Sequence, residues 1–410
     1  MKIKAIGALG LAFLVSDLSR TVNGVLGDSM RSDMSLSEAS LGVITASFYI
    51  AFLLFQLPFG VLLDKVGPRK LQLFLLPIAS IGAILCYLAT DFSMLFLGRL
   101  LLGVGMSACL MAAFKGVSEW VPLRKVPMGN GLILGGGAIG GILATTPAAA
   151  LSENFGWALS YLVLAIFICV AWSAIWISVP ARSGAKAPPF KVSSLILAAR
   201  DPIFRTVAVP AALSLGVASS FQGLWAGIWF SESLGMSSHS VGLGLFWMSI
   251  STIVGSLFIG FVANRLSNFG ASLESVTYGF LLLHIAIQSY IVVFNPNGVV
   301  SWTLFSFFGV SGMLVFSCIA TNNPGDNVAF KNAIFNLLSF GMAALIQVLY
   351  GALLDYALVE DAADVGERHS WALGLLVVVQ LLVVITALII GKVLNRNSIL
   401  LSKHNGSSGC

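Results

Sequence analysis

Twelve times along its length this chain runs through roughly twenty predominantly apolar residues before charged residues, glycine or proline interrupt it. The runs lie at 4–27, 39–62, 71–89, 93–117, 128–151, 157–179, 204–230, 240–263, 273–293, 299–320, 329–354 and 371–391. An α-helix rises 1.5 Å per residue, so about 20 residues cross the ~30 Å apolar core of a bilayer. Peptide groups in lipid have no water to bond, which favours helices that satisfy them locally. With 58% hydrophobic and only 10% charged residues, and a mean hydropathy of +0.95, the 410-residue chain lacks the mixed-charge surface of a soluble domain. An all-α, multi-pass membrane protein with the bilayer as its partner is predicted.

Lys and Arg outside the spans divide unevenly. One side holds 17, among them Lys2, Lys4, Lys65, Arg69, Lys70, Arg124, Lys125 and Lys392; the other holds Arg31 and Arg368. Positive residues stay preferentially in the cytoplasm, so both termini are expected there. The net charge of +5 then reports topology, and no nucleic-acid partner is expected. The first run carries Asp17 and Arg20 and lacks a convincing small-residue cleavage site, so it reads as a retained span. None of the five cysteines has disulfide or metal spacing, and no cofactor or metal site is expected. Walker and Gly-x-Ser-x-Gly motifs are absent from the sequence, which gives no support for an enzyme or an ATP-driven pump. The polar, basic interval 180–203 separates an N-terminal bundle, 1–179, from a C-terminal bundle with a short tail, 204–410; the tail ends in Gly-Ser-Ser-Gly-Cys.

Between the second and third runs stands Gly60-x-x-x-Asp64-Lys65-x-Gly67-Pro68-Arg69-Lys70, and the fourth contains Gly98-Arg99-x-x-x-Gly103-x-Gly105. Both resemble signatures of the major facilitator superfamily of transporters, with Pro68 as an extra residue in the first. The loop 260–270 echoes the first motif weakly, with Asn264 in place of Asp64. The resemblance implies twelve helices in two six-helix bundles, alternating access to a midplane site, and Gly60, Asp64, Gly67 and Arg69 as a conformational latch. Asp64 is expected near the inner N-terminal end of span 11, where a carboxylate complements the helix dipole. An ordinary charged turn is the plainer alternative.

Arg20-Thr21-Val22-Asn23 resembles a stretch in the first span of a bacterial subgroup of that superfamily. Helix rise places Asp17, Arg20 and Arg99 within roughly 5 Å in depth. An Asp17–Arg99 brace is one reading. The other is an excess positive charge that attracts an anionic or zwitterionic cargo, with Asp17 exchanging a proton. Substrate contacts are expected from Arg20, Asn23 and Arg99, from Gln222 and Trp225 in span 7, and from Asn332 and Asn336 on a polar stripe of span 11 that continues through Ser339, Ala343, Gln347 and Tyr350. Trp229 reads as an outer-interface anchor, His284 as a hydrogen-bonded core histidine, Lys115 as the partner of Glu119, and the span 5 glycines as helix contacts. The expected activity is secondary active transport of a small polar organic solute across a bacterial inner membrane by a monomer. Proton-driven efflux of an amphipathic drug or siderophore is one alternative; a solute sensor that moves nothing is another.

Overall fold

A computed structural model describes residues 2–181, 201–294, 296, 298–322, 328–359 and 365–406. Most of the central interval 180–203, and the final residues 407–410, lie outside these. The described residues are helical and contain no strand. Among the described residues ten helices are long and apolar enough to cross a membrane, and the pair Ile3–Thr21 and Asn23–Met34, bent by 44°, makes an eleventh if it is one span. One of the ten, Glu38–Tyr87, is two spans merged across a non-helical Gly67, which brings the number to twelve.

In chain order, span 1 is Lys2–Thr21 continued by Asn23–Met34, and spans 2 and 3 are residues 38–66 and 68–87. Span 4 is Phe92–Met106 with Cys109–Trp120, span 5 Val126–Leu143 with Thr146–Phe155, and span 6 Trp157–Ser178. Span 7 is Phe204–Glu232, span 8 Ser238–Asn268, span 9 Leu273–Phe294 and span 10 Val300–Thr321. Span 11 is Val328–Val359 and span 12 Val365–Gly406.

The breaks have chemical causes. Gly67 adopts φ 82° and ψ 163°, a left-handed value open to glycine, and Pro68 pushes the residue before it out of helical geometry. Thr21 and Ser19 bond back to the carbonyls of Asp17 and Val15, a habit that bends helices, and the bend follows at Val22. Pro147 has no N–H for the carbonyl of Leu143, and span 5 breaks between them. Span 7 widens into a π-helical turn at Phe221–Trp225.

Span 4 packs tightly because Gly98, Gly103 and Gly105 leave no room for a Cβ against Gly82 and Cys86, Phe48 and Ala79 respectively. The span 5 glycines divide. A Cβ at Gly137 or Gly140 would meet Phe13 or the backbone of Leu14, whereas one at Gly131, Gly135 or Gly136 would have no atom of another element within 4 Å among the described residues. The helix-contact expectation therefore fails for those three, which the packing turns away from span 1.

The first six and last six spans pack closely where Arg31 lies. There Gly24 and Gly227 face each other across spans 1 and 7, and Gly42 faces the carbonyl of Gln347. A side chain at Gly351 would meet the carbonyl of Glu38. Further along the same two spans Phe340 rests against Phe52 and Tyr49 at 5.0 and 6.1 Å. Arg31 pairs with Asp28, Glu38 and, from the second half, Glu232. Glu232 continues to His369 at 3.3 Å, and His369 to Tyr350 at 3.1 Å. Behind this network sit Phe221, Trp225, Trp229, Trp302 and Phe305, all fully or almost fully buried. Trp229 is thus no interface anchor: it stands edge-on to Trp302 at 5.0 Å, because the i, i+4, i+8 row of Phe221, Trp225 and Trp229 faces spans 10 and 11.

Candidate functional site

At mid-depth in span 1, Asp17 and Arg20 lie one turn apart and form a salt bridge. Their side chains keep 15% and 25% of their exposure although they sit in an apolar span. Gly141 of span 5 gives Asp17 its room, since a Cβ there would stand 3.3 Å from Oδ2. The Arg20 guanidinium lies over the ring of Phe340, 5.9 Å from its centroid, and so reaches across the seam between the halves.

Two polar groups outside the expected set come together near this pair. Tyr49 of span 2 and Gln347 of span 11 converge on Gly223, in the π-helical turn of span 7. A Cβ at Gly223 would lie 2.9 Å from the Tyr49 hydroxyl and 3.6 Å from Gln347 Nε2. That nitrogen donates to the carbonyl of Ser220 at 3.1 Å. Gln347 Oε1 and the Tyr49 hydroxyl are buried without a hydrogen-bond partner among the described residues. Unpaired buried polar atoms are costly, so these are the groups a polar ligand would relieve. The polar stripe of span 11 signals Gln347 in the sequence; nothing in the apolar run around Tyr49 signals that residue.

Arg99 is elsewhere. It is fully buried, and Nη1 donates to the carbonyl of Ser19 at 2.7 Å while its guanidinium stands 5.0 Å from the Phe48 centroid. Ser19 is in the last turn before the bend in span 1, where a carbonyl has lost its helical donor. Arg99 therefore caps the negative end of a half-helix, a position that favours a cation. The expected brace to Asp17 does not form, because Arg20 takes that carboxylate, and the expected meeting of all three charges is corrected accordingly. Asn23 is also fully committed: its amide donates to Thr45 at 3.0 Å and its carbonyl accepts from Tyr161 at 2.6 Å, tying spans 1, 2 and 6.

The remaining expected residues scatter along the seam. Gln222 donates to Ser249 at 3.1 Å in its own half. Trp225 is fully buried 5.0 Å from the ring of Tyr350, within the aromatic plug, with its indole N–H unpartnered among the described residues. Asn332 and Asn336 are half-buried on span 11, two turns and one turn from Phe340 toward the Asp64 end. His284 is buried and bonded to Ser214 at 2.7 Å, as a core histidine.

The loop motif stays within the first half. Asp64 pairs with Lys115 at 2.6 Å, and Lys115 also donates to the carbonyl of Leu63. This corrects the pairing of Lys115 with Glu119; Asp64 has no contact with span 11 among the described residues, and residues 323–327, just before that span, lie outside them. The physical reason is geometric: Lys115 on span 4 projects toward the loop after span 2, and span 11 meets span 2 at the opposite end. Arg69 donates to the carbonyl of Trp176 at 2.7 Å, and Gly60 faces Met111.

The sequence model of the Major Facilitator Superfamily matches residues 9–345. Over 176 residues the chain is 28% identical to a hexuronate transporter of Bacillus subtilis, which covers 43% of this chain and 41% of that protein. Over 171 residues it is 22% identical to a probable sulfoacetate transporter of Cupriavidus necator, covering 42% and 40%. The chain thus spans about two fifths of the length of these curated relatives. A crystal structure of a bacterial homologue of the human lysosomal transporter Spinster, inward-facing and unoccupied, superposes with a TM-score of 0.78 at 15% identity, over 95% of this chain and 97% of the other. Two signature motifs, twelve spans joined across a seam, and a family match over most of the sequence agree, and the chain belongs to the Major Facilitator Superfamily.

Proposed function

We propose that this protein is a secondary active transporter of a small organic anion, which binds at Arg20 between the two halves and is passed across the membrane by alternating access. The observation that carries the reading is Arg20 itself: a part-exposed guanidinium inside an apolar span, with a side chain from each half against it. Asp17 neutralises it when the site is empty, and a cargo carboxylate or sulfonate competes for the same planar fork of donors. Tyr49 and Gln347 lie where hydroxyl groups of the cargo would be read. The relatives named for hexuronate and sulfoacetate, both organic acids, support that class.

The division into bundles 1–179 and 204–410, with the interval 180–203 as their link, belongs to the same proposal. So does the orientation: from the 17 to 2 charge split the Asp64 end is read as the cytoplasmic one, in a bacterial inner membrane. Asp17 is the group proposed to exchange a coupling proton with the cargo's arrival, since Arg20 can be satisfied by only one of the two anions.

Uptake into proteoliposomes of a panel of labelled sugar acids and sulfonates, with and without a proton gradient, tests this. Arg20→Lys is expected to lose about tenfold or more of the uptake, about 1.4 kcal/mol, because a point charge replaces the fork. Asp17→Asn is expected to uncouple uptake from the gradient. Wild-type uptake in Arg20→Lys overturns the anion site, an unchanged gradient response in Asp17→Asn overturns the proton role, and saturable binding without uptake points to a sensor.

A further inference from the structure

Two of the helix breaks in the first half lie side by side, and a void opens between them. Span 1 turns at Val22 and span 5 breaks between Leu143 and Pro147. Both breaks, with span 6, wall a cavity of about 170 Å³. Its lining is apolar, with Leu18 and Val22 from span 1, Leu143 and Pro147 from span 5, and Phe167 from span 6. Phe167 is 40% exposed, so the cavity communicates with the protein's outer surface.

One polar group faces this space. Ser160 lines it, is 7% exposed, and its hydroxyl has no hydrogen-bond partner among the described residues. Serine in a helix commonly bonds back to the carbonyl four residues earlier, as Ser19, Ser249 and Ser289 do here. Ser160 does not, and a hydroxyl left unpaired beside an apolar void is a handle for a ligand with one polar atom. A dry apolar cavity of about 150 Å³ holds one benzene ring. Among the described residues no charged side chain lines the cavity, so it does not suit the anionic cargo proposed for Arg20.

We propose that this cavity is a second ligand site, for an uncharged, phenol-sized aromatic alcohol whose hydroxyl bonds Ser160 and whose ring fills the wedge between the two breaks. An occupant there packs against Val22 and Pro147 together and holds both bends at their present angle. The site thereby acts on the conformation of spans 1 and 5 from outside the cargo path.

Phenol and benzene binding to the full chain in detergent micelles, measured by titration calorimetry, provides the test. Wild type is expected to bind both saturably. The phenol-to-benzene affinity ratio is expected to fall about two- to tenfold in Ser160→Ala, the range of one hydrogen bond. Comparing the two probes cancels partition into detergent. Ala148→Phe, which fills the cavity from a residue 7% exposed in its wall, is expected to abolish both affinities. Phenol is also expected to slow hydrogen exchange of the amides at 21–23 and 144–146 in wild type. Absence of saturable binding, an unchanged ratio in Ser160→Ala, or saturable binding that survives in Ala148→Phe overturns the site. If Ala148→Phe does not fold, the Ser160→Ala ratio decides. Unaltered exchange on binding overturns the clamping of the breaks.

Discussion

The carboxylate of Asp355, near the end of span 11, accepts the backbone N–H groups of Glu38 and Ala39 at 3.0 and 2.9 Å and caps the first turn of span 2 from the other half of the molecule. The first turn of a helix has unpaired N–H donors and a partial positive charge, so an anion there gains both hydrogen bonds and dipole energy. The sequence suggests such a contact between Asp64 and span 11. The structure makes the equivalent contact at the opposite end of the seam, with the roles of the two spans reversed.

Replacing Asp355 by Asn keeps one acceptor and removes the charge. The Arg31 end should separate more often, by about 1 kcal/mol or roughly a fivefold change in population. Distance distributions between spin labels at Ser35 and Tyr356 check this: a longer component should grow in Asp355→Asn, and an unchanged distribution would show that packing alone holds this end together.

Arg31 is the cation that keeps Glu38 and Glu232 tolerable side by side. Arg31→Gln leaves two largely buried carboxylates facing each other. Breaking a buried pair in this way costs about 3–5 kcal/mol, less here because a quarter of the Arg31 side chain is exposed. Thermal unfolding in detergent should show the loss, and adding Glu232→Gln should restore most of it. Failure of that second change to rescue would argue against repulsion as the cause.

Gly227 and Gly24 bring spans 1 and 7 into backbone contact. A Cβ at Gly227 would collide with the carbonyl of Gly24, which belongs to a helix and cannot turn aside. Gly227→Ala should therefore cost about 1–3 kcal/mol of the packing at this end. Spans 1 and 7 should then exchange amide hydrogens faster near residues 24 and 227, while the Asp64 end is unaffected.

Arg99 should behave as a structural residue. Arg99→Lys keeps the charge but loses the planar contact with Phe48 and the directed bond to Ser19, and thermal stability should fall by about 1–2 kcal/mol. Arg20→Lys, in a part-exposed site, should leave stability within about 0.5 kcal/mol of wild type. The two variants compared by thermal unfolding separate the roles; equal losses would contradict the division drawn between them.

Helical class and the number of crossings were legible in the sequence, because in a bilayer each segment must satisfy its own peptide hydrogen bonds, and a run of about twenty apolar residues does so without help from distant parts of the chain. The break at Gly67-Pro68 was legible for the same reason: it follows from the allowed backbone angles of two adjacent residues. Helix rise also set the depth of Asp17, Arg20 and Arg99. It could not set their direction around the helix axis relative to other spans. The offset of three already made Asp17 and Arg20 neighbours on one helix face; only the packed structure sent Arg99 to the carbonyl of Ser19, enclosed Asn23 between Thr45 and Tyr161, and moved Trp229 from an interface into an aromatic plug. Tyr49 and Asp355 acquire their roles from partners roughly 170 to 320 positions away in the chain. Contacts across the seam depend on which end of the molecule is closed, and that is a property of the assembled halves rather than of any one segment.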